Sequence, residues 1–323
     1  MAYGMKAGTA TPPGSPVNIV ANIFKYLKKY WFNYLLVLPG LCFLIVFSYA
    51  PIYGIQMAFK DLNMGAGIWK SPWATPIFKY FIKFLSDPYF YTVLRNTLIL
   101  NAMNIVFGMS FIIFLSLMIN EVRLKWVKNS VQTAVYLPYF LSWVIFAGIV
   151  RTFLSPQDGM INVLIVNIFK SKPIDFLTDN NLFRWVLVVS NVIKEAGYGT
   201  IIYLAGIAGV SPELYESATI DGANRYHMIR YITLPRIYPT IAVLLILQIA
   251  SIFSANFDQV VNLYNPLVYP SGDVLSTYIY RTGLGSNEFE KSTALSLLFS
   301  CISLPLILIV DRFIRKLDVM GIF

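Results

Sequence analysis

Eight residues in the second half of the chain carry chemistry that an apolar sequence does not need for folding. Asn191, Lys194, Glu195 and Tyr198 sit inside one hydrophobic run, and Ser251, Asn256, Asp258 and Gln259 close another, with Gln248 just before them. Amides, hydroxyls, one cation and two carboxylates can hold a polar solute through hydrogen bonds and hand it on. Such groups are costly inside a bilayer and are usually functional there. Spacings of three and four put Asn191, Lys194, Glu195 and Tyr198 on one broad helical face. The plainer alternatives are that Lys194 and Glu195 satisfy each other and that Gln248 and Ser251 join helices.

The elements that must position these residues are membrane spans. The 323 residues are 57% hydrophobic and only 13% charged, whereas soluble domains carry about 25% charged residues. Apolar runs predict six spans, at 32–58, 93–119, 131–153, 183–208, 237–263 and 292–314, each long enough to cross. Pro39 and Pro51 are expected to bend the first. The fold class is therefore an all-α integral membrane protein. A transmembrane domain over 19–323 follows a polar, Gly-, Thr- and Pro-rich segment, 1–18, that reads as disordered. Lys25, Lys28 and Lys29 before the first span, and Arg312, Arg315 and Lys316 at the end, place both termini in the cytoplasm. Over the whole chain the bias is weak, with 13 of the 25 Lys and Arg in inner segments, 11 in outer ones and Lys194 within a span. Ile77, Phe81 and Phe84 share one face of an expected interfacial helix. The apolar piece 161–169 is too short to cross and is expected to lie flat.

Several functions are excluded. Cys42 and Cys301 each lie in an apolar run and read as buried hydrophobes rather than a disulfide or metal site. His227 is the single histidine, which leaves no histidine-based metal site or triad. No G-x-x-x-x-G-K-[ST] loop is present to cradle ATP, and no H-E-x-x-H. The chain is not expected to be an enzyme or to hold a cofactor. Its net charge of +9 fits topology and anionic lipid better than nucleic acid.

The longest strongly polar stretch in this half is 211–235, between spans 4 and 5. Hydrocarbon cannot satisfy its charges, so it lies in water. Ser211 can cap a short helix with Pro212 in its first turn. Asp221 and Gly222 then read as a stop, with Gly222 able to adopt the left-handed conformation. A second amphipathic piece runs from Asn224, and Pro235 is expected to end it. Within this loop, Glu216-Ser217-Ala218, Gly222 and, after nine further residues, Ile232-Thr233-Leu234-Pro235 resemble the E-A-A-x-x-x-G-x9-I-x-L-P signature of ABC importer permeases, with Ser217 where alanine is usual. Leu38-Pro39-Gly40, Arg95-Asn96-Thr97, Tyr136-Leu137-Pro138 with Ser142-Trp143, and Phe257-Asp258-Gln259 are similar to the carbohydrate branch of that family. The resemblance runs over about 30–323.

That resemblance implies a type I importer fold in the bacterial inner membrane, with six spans and a cytoplasmic two-helix coupling loop. It implies import of oligosaccharides, acidic alginate-like ones among them. Glu216, Ser217, Ala218, Asp221, Gly222 and Arg225 would couple to the ATPase. Asn191, Lys194, Glu195, Tyr198, Ser251, Asn256, Asp258 and Gln259 would line the path, with Lys194 suited to an anionic sugar. The implied partners are a second permease (a related but different chain), an ATPase dimer that holds the ATP and magnesium, and an extracytoplasmic solute-binding protein. Two alternatives stand beside this reading: an ABC permease for an amino acid or peptide, and an ion-coupled secondary transporter.

Overall fold

The computed structural model describes residues 28–315. The expected disordered segment 1–18, Lys25 and Lys316 lie outside them. The contacts divide the chain into a unit up to Gln56 and a second from Met57 onward. Most of the first unit is α1, Trp31–Phe59. Pro39 lies inside its regular part, and the turn widens at Ile45–Tyr49 ahead of Pro51. The side chains from Lys28 to Tyr53 are all exposed, Cys42 among them. Lipid can cover such a surface because a helix satisfies its own backbone. Cys301 is exposed too. Both cysteines thus depart from the expected burial, because the bilayer solvates apolar side chains as well as a core does.

The second unit opens with a segment in which Asp61 accepts hydrogen bonds from Lys79 and Tyr80, each at 2.7 Å. These bonds, Lys79 first, hold the Asp61 carboxyl below its ordinary range. Helix α2, Lys79–Leu85, follows; Ile77 precedes it and is exposed while Phe84 is buried, so the expected common face of Ile77, Phe81 and Phe84 does not form. Then come α3, Pro88–Glu121; α4, Lys125–Phe140; α5, Trp143–Leu154; α6, Met160–Phe169; and α7, Asn180–Ala208. The rest are α8, Pro212–Ile220; α9, Arg225–Ala250; α10, Phe257–Leu263; α11, Leu275–Tyr280; and α12, Phe289–Arg315.

Among the described residues, α1, α3, α9 and α12 are long and apolar enough to cross a membrane, and the pair α4–α5 makes a fifth span if counted together. Helix α7, at 29 residues, has the length of a sixth. Its polar residues lower its apolarity, and its neighbours enclose it. Phe183, Leu187 and Val188 pack on Leu100 of α3 and on Val260 and Leu263 of α10. Ala196, Tyr203 and Ile207 pack on Met109, Ile112 and Leu117 of α3 and Ile237 of α9. Gly197 makes one of these approaches possible. A Cβ there would lie 2.8 Å from Tyr136 Cα and 2.9 Å from the Val135 carbonyl of α4. Because both obstacles are backbone, Gly197→Ala is expected to push α4 and α7 apart and destabilise by about 1–3 kcal/mol. Thermal unfolding in detergent would register this as a lower midpoint; an unchanged midpoint would refute the close approach.

Two predicted boundaries need correction. The third span is broken: α4 and α5 meet at 107°. Pro138 removes a helical donor near the end of α4, and Ser142 caps α5 by accepting from the Ile145 N–H at 3.4 Å. The fifth span begins earlier and ends earlier than expected. Pro235 does not stop the helix, because the turn widens at Ile229–Thr233, and this register change accommodates a residue that cannot donate. The helix ends at Ala250, and the chain passes through Asn256 at φ +65° before α10.

A buried polar network fixes the segment before α11. Asp273, fully buried, accepts from Arg281 at 2.6 Å and from the Tyr89 hydroxyl at 2.6 Å, and Thr277 donates to its other oxygen at 2.7 Å. Arg281 lies over the Tyr269 ring at 4.2 Å. Asn96 of α3 donates to the carbonyls of Pro270 and Asp273, and Arg184 of α7 reaches Asn96 and the Ser271 carbonyl.

Candidate functional site

A polar cavity of about 360 Å³ opens where α3, α5, α7, α9 and α10 meet, lined by Asn101, Asn104, Trp143, Asn191, Glu195, Gln248, Ser251, Asn256, Asp258 and Gln259 among others. Asn256 turns back at the break between α9 and α10. Its side chain donates to Asn101 and accepts from Asn104, both at 3.2 Å. Asn101 in turn donates to the Ile252 carbonyl at 3.0 Å. This amide relay gives the 251–256 segment partners for backbone that no helix satisfies. Asn104 falls in a widened turn of α3, 104–109, a distortion that is frequent at functional sites. Gln259 is fully buried and donates to the Leu187 carbonyl and the Ser190 hydroxyl of α7. The side-chain oxygens of Asn104 and Gln259 are buried, and neither accepts a hydrogen bond among the described residues. Such acceptors call for a hydroxyl or amide donor. A larger cavity of about 480 Å³ between α5, α6 and α7 is lined by Phe146, Phe153, Trp185 and other almost wholly apolar side chains, and offers a polar solute nothing.

The loop between α7 and α9 has a different chemistry. Helix α8 starts at Pro212, and Ser211 stands at its cap position without a side-chain cap bond, contrary to expectation. Gly222 takes φ +77°, and the Ala223 N–H closes the helix end onto the Ala218 carbonyl at 2.9 Å. Asn224 caps α9. The Tyr215 and Thr233 hydroxyls join the two helices at 2.9 Å. Glu216, Ser217, Asp221 and Gly222 are exposed. So are Ile220 (87%), Tyr226 and Tyr231. Acidic and apolar groups therefore stand together, exposed, where the two helices are braced against each other. The family described as "Binding-protein-dependent transport system inner membrane component" matches residues 16–319. The chain belongs to that family.

Three known proteins narrow the comparison. The polygalacturonan/rhamnogalacturonan transport system permease protein YteP of Bacillus subtilis is 38% identical over 290 residues, covering 90% of this chain and 89% of that one. A crystal structure of a bacterial ABC transporter involved in import of the acidic polysaccharide alginate matches with a TM-score of 0.83 and 40% identity, covering 91% of this chain and 99% of that chain. A bacterial alginate ABC transporter in complex with an alginate pentasaccharide-bound periplasmic protein matches at 0.82 and 38%, over 93% and 99%. The protein is thus a membrane-spanning permease with the type I importer fold. It is a transport subunit, not an enzyme, and a permease of this family works beside a second permease and an ATPase.

Within the permease, the cavity gathers Asn191, Glu195, Ser251, Asn256, Asp258 and Gln259, as the sequence predicts, but not Lys194 or Tyr198. Lys194 is 5% exposed and donates to the Tyr139 carbonyl at 3.0 Å. Tyr198 stacks on the Tyr139 ring at 5.1 Å. Consecutive helical residues point about 100° apart, so Glu195 can face the cavity while Lys194 faces α4. The counter-charge expected of Lys194 is therefore not in the cavity wall. Arg225, expected at the docking surface, bonds Glu121 at the end of α3 at 3.1 Å and ties the loop to this chain. Tyr278 donates to Asp87 and lies by the network around Asp273, not in the cavity wall. Asn101, Asn104 and Trp143 were not anticipated as lining residues. Their signal was two amides three apart inside an apolar run.

Proposed function

We propose that this permease forms one wall of an oligosaccharide path and that its 211–235 loop docks into the ATPase that drives the cycle. The observation that carries this reading is the cavity: amides, hydroxyls and two carboxylates converge on a break between spans, and two buried amide oxygens there lack a donor. A sugar supplies hydroxyl donors at that density. Acidic polysaccharides figure in the names of the similar transporters, which supports uronate oligomers as the substrate class. Both carboxylates in this wall, Glu195 and Asp258, repel such a substrate, so the cations it needs would come from the second permease, a different chain. Both termini lie in the cytoplasm, and a solute-binding protein delivers from outside. The ATP and magnesium belong to the ATPase, and this chain holds no cofactor.

The test is reconstitution with the neighbouring permease, ATPase and binding protein, reading ATP hydrolysis with acidic and neutral oligosaccharides. Stimulation by uronate oligomers supports the full reading, and stimulation by neutral sugars alone removes the acidic class. Asn191 lines the cavity, and its side chain has no hydrogen-bond partner among the described residues. Asn191→Ala is therefore expected to weaken oligosaccharide binding about fivefold, the worth of one hydrogen bond, without loss of the folded complex. Unchanged binding would take Asn191 out of the path.

A further inference from the structure

The break in the third span and the displaced lysine belong together. Helix α4 ends at Phe140, so its last carbonyls have no helical partners and carry the negative end of the helix dipole. Lys194 Nζ meets one of them, Tyr139 O, at 3.0 Å. The same ammonium lies 5.5 Å from the centre of the Tyr139 ring and 5.3 Å from that of Trp143. Trp143 is the first residue of α5. One buried cation therefore touches both sides of the break. On the α4 side, Tyr198, one turn beyond Lys194 on α7, braces the Tyr139 ring at an interplanar angle of 13°, and Gly197 lets the two backbones approach. On the α5 side, Trp143 is half-buried, sits edge-on to Phe146 and forms part of the polar cavity wall. A cation over an indole face is held most strongly when desolvated, and Lys194 is buried, so the contact selects one orientation of the ring.

We infer that Trp143 is a stacking platform for a sugar ring and that Lys194 is the positioning residue that holds it there across the α4–α5 break. Lys194 thus acts on the substrate through an aromatic face and not as a counter-charge. The inference rests on the oligosaccharide reading above and adds to it a contact blind to substrate charge. The apolar face of a pyranose presents C–H groups to the indole, and these are alike in a uronate and in a neutral sugar. The polar edge of the same ring remains for the amides of α3, α7 and α10. This division of labour explains a cation near the path that no solute reaches.

The solubilised importer, with both permeases and the ATPase, allows the test: equilibrium binding of a labelled uronate oligomer and of a neutral oligosaccharide of equal length. Trp143→Leu and Lys194→Met are each expected to raise Kd about fivefold for both sugars, and the double variant should be no weaker than Trp143→Leu alone, because the two residues act as one unit. Trp143→Phe keeps a face, and Lys194→Arg keeps a cation that can bond a carbonyl and stack. Both are expected to stay within about twofold of the parent. Trp143→Leu does not remove the Lys194–Tyr139 contact, so it tests the platform even if Lys194→Met fails to assemble. A Lys194→Met defect confined to the uronate oligomer overturns the inference in favour of a counter-charge. Multiplying single effects, or unaltered binding in Trp143→Leu, overturn it as well while leaving the transport reading in place. A parent complex that binds neither sugar overturns the transport reading and this inference with it.

Discussion

The Gly222→Asp permease is expected to insert in the membrane and fail at ATP-driven uptake. Gly222 sits at φ +77°, and a Cβ added there meets nothing within 4 Å. The strain of a left-handed L-residue is about 1–2 kcal/mol, and aspartate is among the side chains that tolerate this region best. The fold can carry that load. The proposed docking cannot, because the open space around Gly222 is where the ATPase would sit. A third carboxylate there would join Glu216 and Asp221, both exposed, and face the ATPase unpaired. Gly222→Ala has the backbone strain without the charge and should retain part of the uptake. Proteoliposome uptake, with the amount of copurified ATPase, measures both. Uptake by Gly222→Asp at the parent level would remove the docking assignment.

The second large effect is on stability. Asp273→Ala deletes a fully buried carboxylate that accepts from Arg281, Tyr89 and Thr277. The Arg281 side chain is only 28% exposed, so its charge would be left largely without compensation. Breaking a buried pair from one side costs about 3–5 kcal/mol, and the two orphaned hydroxyls do not add independently. Replacing both charges, Asp273→Leu with Arg281→Met, should recover most of the loss, because it is the stranded charge that is costly. Thermal unfolding of the purified importer would separate the two variants. Equal midpoints for Asp273→Ala and the parent would mean that this network does not hold the segment before α11 in place.

Local polarity made the coupling loop legible. A charged stretch between apolar runs must be aqueous, and Gly222 before a second amphipathic piece announced the left-handed turn that the structure contains. What the sequence concealed were the places where helices deviate. Pro235 reads as a terminator, yet the widened turn before it carries the helix through. Pro138 and Ser142 were visible, but nothing local fixes the 107° turn they permit; the contacts Lys194 makes on both sides of it come from α7, distant in sequence. The cavity was half legible. Asn191, Glu195, Ser251, Asn256, Asp258 and Gln259 stood out as polar residues in spans 4 and 5. Asn101 and Asn104 lie in an otherwise hydrophobic helix and gain meaning only when the break at Asn256 is brought beside them. Assigning Lys194 and Glu195 to one broad face was too coarse, since neighbours on a helix diverge.

The unbroken run of α9 has a mechanical consequence. Its first turn is Arg225, held to Glu121, and its last residues adjoin Gln248 and Ser251 in the cavity wall. Twenty-six residues make a rod about 39 Å long. A rotation of about 5° at the docked end would carry the far end roughly 3 Å if the rod is stiff, about the length of a hydrogen bond. Displacements of that size are enough to exchange one set of sugar contacts for another. The rod has two places that can give, the widened turn at Ile229–Thr233 and Pro239 inside the helix, and both lie ahead of its last two turns. Any give is therefore taken up before the chain reaches Gln248, and the end in the cavity wall moves as a rigid tip.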